Sequence, residues 1–313
     1  MKKTLLATAI LTSLISATAG AATVYDKDGT TLKVGGRAEV RGLFSDSVDG
    51  TMEDKSRARI NFKGKTQISE DLAGFGVMEY EIKSGDSEVS NRYLYAGLST
   101  AAGDFSYGRQ DTANVLVSDM TDIASEHSGL QQYIDSASDK EDNTFAYAGN
   151  FLDNALSVQA NFIAKGDDDK TDANDPQDAF GLSAMYSMDA GLDFAVAYSD
   201  QDEENQITAG VAYSFEDLYL AATYAMGDVI NDDDILDEFT SLEVAAQYNF
   251  TKEFRMIGIY GMAEEDVAGD TEDFFAVEGQ YRFNKSLRTF ASYKMDNLDG
   301  ADDELMLGLR YNF

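Results

Sequence analysis

Apolar and polar residues alternate one by one through most of the chain, in segments of roughly ten residues separated by turn-forming or acidic stretches. The last segment shows the pattern clearly, because Leu305, Leu307, Leu309, Tyr311 and Phe313 share one parity and Glu304, Met306, Gly308, Arg310 and Asn312 share the other. Successive side chains of a β-strand point to opposite faces of its sheet, so each segment predicts a strand with one apolar and one polar face. About sixteen such segments predict an all-β protein. They lie at about 32–44, 56–68, 74–84, 91–99, 103–110, 143–151, 155–165, 178–188, 191–200, 205–215, 217–227, 238–250, 253–263, 272–283, 286–296 and 303–313.

The connections between these segments are of two kinds. Hairpin-sized connections rich in turn formers alternate with longer loops, most of which are acidic. Short turns on one rim and long loops on the other are typical of bacterial outer-membrane barrels. The fold class predicted is therefore a transmembrane antiparallel β-barrel of about 16 strands with short periplasmic turns and long external loops. The short connections lie near Glu70-Asp71, Ala101-Ala102, Asp153-Asn154, Asp189-Ala190, Glu216-Asp217, Thr251-Lys252 and Asn284-Lys285.

The first residues predict export. Lys2 and Lys3 precede an apolar stretch from Leu5 to about Ile15, and 19–21 supplies the small residues of a signal-peptidase site. We expect residues 1–21 to be a signal peptide and residues 22–313 to be a single barrel domain. After this leader no run of 18 apolar residues occurs, so a membrane-spanning helix is not predicted.

Composition narrows the chemistry. The chain has no cysteine, and its formal charge of −33 becomes −35 when Lys2 and Lys3 are removed with the leader. So acidic a protein is not expected to bind nucleic acid, which needs clustered cations. The aspartates of 167–178 lack the glycine and distal glutamate of a helix-loop-helix calcium site, so a solvated loop is the favoured reading and loose divalent bridging to lipopolysaccharide the alternative.

No motif for a cofactor, a metal or catalysis is present. His127 lies beside Ser125, Glu126 and Ser128, but a catalytic triad needs convergence in space, and adjacent side chains point apart. We therefore predict that the protein is not an enzyme.

The strand at 56–68 carries one uninterrupted polar face. Alternation also occurs in soluble sandwiches and lipocalin-like barrels, where such a face is the solvated exterior. About sixteen strands close a barrel too wide for side chains to fill, however, so a polar interior then becomes a water-filled channel. Aromatic residues near the strand ends are expected to form interfacial girdles. They include Tyr213, Phe215, Tyr248, Phe250, Tyr281 and Phe283.

Four local stretches, in this order and spacing, are similar to the general porins of Gram-negative outer membranes, and most of all to those of marine gamma-proteobacteria. They are Ala58-Arg59-Ile60-Asn61-Phe62-Lys63-Gly64, Arg92-Tyr93-Leu94-Tyr95-Ala96-Gly97-Leu98, Gly103-Asp104-Phe105-Ser106-Tyr107-Gly108-Arg109 and Tyr311-Asn312-Phe313. The resemblance covers essentially all of the chain after the leader. It implies a homotrimer, contact with outer-membrane lipid and lipopolysaccharide, and an assembly signal at Tyr311 and Phe313 that the outer-membrane assembly machinery reads.

The resemblance also implies a third external loop that folds into the barrel and narrows it. The longest connection, at about 111–142, has the length of a functional loop. Residues 121–126 resemble the acidic part of the family's constriction loop, and this resemblance implies constriction carboxylates at Asp122 and Glu126. Ser125, His127 and Ser128 depart from the family pattern, which puts the conformation of the loop tip in question.

The resemblance also implies a wall of cationic side chains that faces this loop across the channel. Strand parity agrees for Arg37 and Arg59, each of which alternates with apolar neighbours. Cations opposite carboxylates across a narrow aqueous gap filter solutes by size and charge. The implied set is Arg37, Arg59, Arg92, Arg109 and Lys140.

The function predicted is passive diffusion of small hydrophilic solutes and ions through an outer-membrane channel with a moderate cation preference. Two alternatives remain at this point. One is a substrate-selective channel with a binding ladder, which saturable and solute-specific block of the current would reveal. The other is an adhesin or receptor that acts through its acidic external loops.

Overall fold

The computed structural model describes residues 21–85, 88–164, 166, 178–230 and 235–313. One antiparallel sheet closes on itself as a 16-stranded barrel, joined by two short additional strands, β1 and β3. The strands are β1 Ala22–Lys27, β2 Thr30–Phe44, β3 Glu53–Asp54, β4 Arg57–Ser69, β5 Leu72–Lys83, β6 Val89–Thr100, β7 Gly103–Gln110, β8 Glu141–Phe151, β9 Leu156–Ile163, β10 Ala179–Met188, β11 Leu192–Gln201, β12 Glu204–Phe215, β13 Leu218–Ile230, β14 Leu236–Asn249, β15 Phe254–Glu265, β16 Gly269–Arg282, β17 Leu287–Asp296 and β18 Glu304–Asn312.

The last strand closes the barrel against the first long one. β18 pairs antiparallel with β2, from Leu305 opposite Phe44 to Asn312 opposite Arg37. Phe313 continues the ladder, because its amide donates to the Gly36 carbonyl at 3.1 Å and its carbonyl accepts from the Gly36 amide at 3.0 Å. A closed ladder leaves no strand edge unpaired in the membrane.

The predicted strands are confirmed, each within three residues of the observed bounds. All seven predicted short connections are turns on one rim, and positive φ angles at Asp153, Asn154 and Glu216 suit these tight reversals. β1, β3 and the helical turns of the third loop were not predicted. Residues 1–20 of the predicted leader and the acidic residues at 167–169 and 232–234 lie outside the described residues.

Strand parity separates the two faces as the alternation predicts. The outward aromatic residues near the short-turn rim are exposed, including Phe215 at 54%, Phe250 at 56% and Phe283 at 55%. Tyr248 and Phe250 make an edge contact at 4.9 Å, and Tyr281 and Phe283 make another at 5.1 Å. Among the described residues, the helices are all too short or too polar to cross a bilayer.

The third loop occupies residues 111–140 and lies inside the barrel. It contains a short α-helix, α1 (Val115–Ser118), and a 3₁₀ turn at Asp135–Ala137. Val117 and Met120 pack on alanines of β11–β13, and Ile123 and Leu130 lie beside a cluster that includes Ile257 and Phe274. Alanine at these inward positions leaves room for the loop, so the loop and the wall bury one apolar surface.

Candidate functional site: a lumen between a charged wall and an infolded loop

Inward-facing arginines from three neighbouring strands form a charged wall. Arg37 of β2 lies opposite Arg59 of β4 in the strand register, and Arg92 projects from β6. These three line a cavity of about 480 Å³ in the lumen, together with Asp122 from the middle of the third loop and Lys140 from its end. The structure therefore brings five of the seven residues of the predicted constriction into one space.

A buried carboxylate organises the part of the wall nearest the barrel seam. The Glu39 side chain has no exposed surface and accepts from Arg57 Nε at 2.9 Å and from Arg310 Nε, with Arg41 Nε at 3.6 Å. Three guanidinium groups thus share one acid. Such an arrangement is stable only while every charge keeps a partner.

Two further carboxylates on β5 pair with the arginines that line the cavity. Arg59 Nε donates to Glu81, which also lies 4.0 Å from Arg57 and Arg92. Arg92 Nε donates to Glu79 at 2.9 Å. Most of the wall arginines are therefore held in place by neighbouring acids.

Arg37 is the exception on this wall. Among the described ion pairs it has no carboxylate partner, and its Nε is buried without a hydrogen-bond partner. Among the arginines of the wall in the described part of the chain, its guanidinium is therefore the one that no carboxylate contacts within 4.0 Å.

The loop side of the cavity is acidic. Asp122 is exposed to the lumen and accepts from the Ser128 hydroxyl at 2.6 Å. Asp119 also lines the cavity, as does Asp193 of β11. Lys140 is 8% exposed, pairs with Asp139, and lies 5.9 Å from the centre of the Tyr93 ring. Carboxylates thus face guanidinium groups across the water-accessible space.

Glu126 lies against the wall rather than beside Asp122. Its Oε1 accepts from Arg41 Nη1 and is 4.0 Å from Arg57 Nη2. The loop tip therefore reaches across to the charged wall and contacts it there. Glu126 does not line the cavity that Asp122 lines.

Arg109 is not among the lumen residues, which corrects its assignment to the wall. It shares the outward parity of Phe105 and Tyr107 on β7, both of which are exposed. Its guanidinium donates to Asp142 at 2.6 Å and to the Asn91 carbonyl at 3.0 Å. The cavity that it does line is on the outer side of the barrel, with Leu94, Met78 and Phe62.

Carboxylates on the opposite side of the barrel hold the loop backbone. Both Glu278 oxygens accept from the Ser125 amide at 3.0 Å, and Glu243 accepts from the Gly129 amide at 2.8 Å. Thr223 on β13 adds a hydroxyl contact to Thr121 at 2.9 Å. Hydrogen bonds to an ionised group are about twice as strong as neutral ones, so these acids are effective anchors.

His127 does not assemble a catalytic group. Its Nδ1 is 3.7 Å from Glu304, its Nε2 is buried without a hydrogen-bond partner among the described residues, and its Ser125 neighbour accepts from Gln280. Burial, aided by Lys294, lowers the pKa of His127 to about 4, so the ring is neutral at pH 7.

The carboxylates of the wall were not predicted from the sequence. Glu39, Glu79 and Glu81 all have the inward parity, and each lies in or beside the register of an arginine strand. Arg41 and Arg310 have the same inward parity. Acids placed opposite arginines in the strand register were the signal that could have found them.

Comparison with known proteins identifies the family to which the chain belongs. The model of a Gram-negative porin family matches residues 7–301. Porin-like protein L of Photobacterium profundum is 34% identical over 349 residues, and outer membrane protein U of Vibrio parahaemolyticus is 33% identical over 347 residues, each covering 100% of both chains. Among solved structures, OmpF of Salmonella typhi in complex with daunomycin superposes with a TM-score of 0.83 at 25% identity, covering 93% of this chain and 100% of that one. This chain belongs to the family of Gram-negative porins, and it is a non-enzymatic channel of the outer membrane.

Proposed function

We propose that small hydrophilic solutes and ions diffuse passively through this channel past a constriction between the charged wall and the third loop. The observation that carries the proposal is the 480 Å³ lumen cavity, with Arg37, Arg59 and Arg92 on one side and Asp122 on the other. The narrowest part of such a path sorts solutes by size and by charge. Lys140 belongs to the same constriction, and Glu126 acts on it from the wall through Arg41.

A moderate preference for cations follows from the balance of charge. Six of the ten arginines have carboxylate partners among the described residues, so the wall offers little uncompensated positive charge. The external loops are acidic, and the formal charge is −35 once Lys2 and Lys3 are removed with the leader. This negative charge raises the concentration of cations at the external mouth of the channel.

Reversal potentials across potassium chloride gradients test this preference. The loops act at a distance and the wall at contact range, and the Debye length falls from about 10 Å at 0.1 M to about 3 Å at 1 M. We expect a cation preference that weakens as salt rises. Neutralising Asp232, Asp233 and Asp234 should reduce it mainly in dilute salt. Anion preference in dilute salt would overturn the proposed sign.

Truncation of the wall tests where the constriction lies. Arg59→Ala, and more weakly Arg92→Ala, removes bulk and positive charge from the cavity lining. Both changes should raise single-channel conductance and shift permeability toward cations. If reversal potentials stay at the parent values in both variants, the constriction is formed by other residues.

We also propose a homotrimer that reaches the membrane after removal of residues 1–21. A structure of OmpT from Vibrio cholerae with a TM-score of 0.74 and 16% identity is described as a trimer form, and the closed ladder here resists stepwise opening. Unboiled protein should migrate as an oligomer in gels and boiled protein as a monomer, with Ala22 as the first residue. Identical migration of the two samples would exclude the stable trimer.

Tyr311 and Phe313 are proposed to be the signal that the outer-membrane assembly machinery reads. Phe313 pairs with Gly36 at the seam. Deletion of Phe313 should lower the amount of assembled barrel while the conductance of the channels that do form stays the same. An unchanged yield would remove this role. We also propose that the exposed apolar side chains on the outside of the barrel contact outer-membrane lipid and lipopolysaccharide.

A further inference from the structure

Three arginines without acidic partners gather at the short-turn rim, away from the constriction. Arg255 of β15, Arg282 of β16 and Arg288 of β17 have the inward parity of their strands and line a cavity of about 390 Å³. None of them takes part in an ion pair among the described residues. Local positive charge of this kind is unexpected in a chain with 57 acidic and 24 basic residues.

Two of these guanidinium groups share one neutral acceptor. Gln280 Oε1 accepts from Arg255 Nε at 2.9 Å and Nη2 at 2.7 Å, and it also lies 3.4 Å from Arg288 Nη1. Gln247 Oε1 accepts from Arg255 Nη1 at 2.9 Å. Amide oxygens orient the two guanidinium groups without cancelling their charge.

Arg288 carries an unmet hydrogen-bonding requirement as well as an uncancelled charge. Its Nε is buried and has no hydrogen-bond partner among the described residues. In the strand register it lies directly opposite Arg282 on one side and Arg310 on the other. Like charges directly opposite each other destabilise a sheet. Glu39 offsets Arg310, but no described acid pairs with Arg282 or Arg288.

The acids near this cluster make no ion pair with it among the described residues. Glu278 is the inward carboxylate of β16 beside Gln280, and it acts on Arg255 and Arg288 only from beyond 4.0 Å, while its oxygens accept from the Ser125 amide and from Gln280. Asp217 and Glu253 belong to the turns at the edge of the cavity and are exposed to solvent. Lys252, in one of the same turns, is also exposed and adds a positive charge. The excess positive charge therefore remains inside the rim.

We propose that Arg255, Arg282 and Arg288 form a binding site for a phosphate dianion, either free or carried by a small solute, at the periplasmic mouth of the channel. The planar fork of a guanidinium matches two oxygens of a phosphate, and a dianion compensates two adjacent arginines at once. The shared Gln280 oxygen holds Arg255 and Arg288 in position for this contact. The site lies apart from the predicted constriction, since Arg37, Arg59 and Arg92 line a different cavity.

Binding is measured on the detergent-solubilised oligomer by phosphorus NMR line broadening and by titration calorimetry. Inorganic phosphate and glycerol 3-phosphate are titrated separately, and the tighter ligand distinguishes the free ion from the ester. Arg255→Gln combined with Arg288→Gln should weaken binding by about tenfold or more, because each change removes a charge-assisted contact. The matched control is Lys27→Gln combined with Lys285→Gln, which removes two charges from exposed positions on the same rim and should leave binding unchanged.

Current recordings locate the site along the pore. This proposal rests on the proposed function, in which the lumen is an aqueous path for ions. The current that each variant carries in potassium chloride without phosphate tests that path separately from phosphate binding. Phosphate added on the short-turn side should alter the current at lower concentration than phosphate added on the long-loop side, and the Arg255 and Arg288 double variant should lose this asymmetry. Equal binding in the double variant and the parent, or loss of binding in Arg59→Ala alone, would overturn the proposal.

Discussion

The two sides of the barrel that face the third loop are built from different chemistry. The wall of β2, β4, β5, β6 and β18 presents arginines held by buried acids, of which Glu39 is the most enclosed. The wall of β11–β16 presents alanines and hydrogen-bond acceptors, of which Glu243 and Glu278 receive amides of the loop. One side sets the field in the lumen, and the other sets where the loop lies.

Buried carboxylates therefore serve two purposes in one pore. On the charged wall each acid compensates guanidinium groups, so it fixes their positions and lowers their net charge. On the opposite wall an acid accepts backbone amides, so it fixes a loop that has little regular structure of its own. Position and charge of the constriction can therefore be changed separately by mutation.

The largest effect is expected from breaking the charged wall at its centre. Glu39→Ala leaves Arg41, Arg57 and Arg310 without their shared acid, and removal of one partner from a buried ion pair costs about 3–5 kcal/mol. Unfolding in urea, followed by gel mobility, should move to lower denaturant.

Glu53→Ala is the matched control, because Glu53 pairs with Lys55 and both side chains are at least 40% exposed. Exposed pairs contribute little to stability, so this variant should unfold like the parent. Equal stability of Glu39→Ala and the parent would show that the three arginines find other partners.

The strands of both walls could be predicted from the sequence, because alternation is a local signal and a water-filled barrel interior maintains it over most of each strand, apart from register shifts such as the one between β5 and β6. The seven short turns were equally visible through their turn-forming residues. The anchors of the loop were not visible. Glu278 meets Ser125 across 153 positions of sequence, a pairing that only closure of the barrel and infolding of the loop create.

A smaller effect is expected from releasing the loop. Glu278→Ala combined with Glu243→Ala removes the acceptors of the Ser125 and Gly129 amides, and each hydrogen bond to a charged group contributes about 1.5–3 kcal/mol. Single-channel recordings should show increased open-channel noise, since the loop then samples more than one position.

Glutamine at the same two positions keeps an oxygen acceptor with nearly the same shape. The double glutamine variant should therefore be quieter than the double alanine variant. If both pairs of substitutions leave the noise at the parent level, the apolar contacts of Ile123 and Leu130 hold the loop without the acids.

The fit of the loop on its wall gives a third and more modest prediction. A Cβ added at Gly261 would lie 2.5 Å from the Phe274 ring and 2.7 Å from Leu130. Gly261→Ala should move these side chains and shift the loop at a cost of about 1–3 kcal/mol, changing the conductance. Gly258→Ala, on the same strand, meets nothing within 4 Å and should conduct like the parent. Equal conductance of the two variants would mean that the side chains absorb the added methyl group without moving the loop.

Prediction of the site from the sequence was less complete than prediction of the fold. Arg37 and Arg59 line the lumen, as the parity of their strands predicts. Arg92 also lines it although it shares its parity with the exposed Leu94, because the register with β5 shifts at Arg92. Arg109 was misplaced although its parity with Phe105 and Tyr107 already indicated the outer face. Glu126 could not be separated from Asp122 by sequence, because the path of an irregular loop decides which wall each acid meets.

The smallest effect is expected in the reversal potential, where substitutions of Asp122 and Glu126 should differ in their dependence on salt. Asp122 lines the lumen cavity, whereas Glu126 lies on Arg41 beside Arg57. At 1 M salt, where the Debye length is about 3 Å, only a charge at the surface of the ion path still acts on permeant ions. Asp122→Asn should therefore shift the reversal potential toward anions at both low and high salt. Glu126→Gln should shift it mainly at low salt, and it should also loosen Arg41, which loses its contact with the loop.

The measurement is the reversal potential of each variant across a fixed potassium chloride ratio at mean concentrations of about 0.1 M and 1 M. Equal shifts for the two variants at high salt would mean that ions pass Glu126 as closely as Asp122, and that the loop tip leaves the charged wall when the channel conducts.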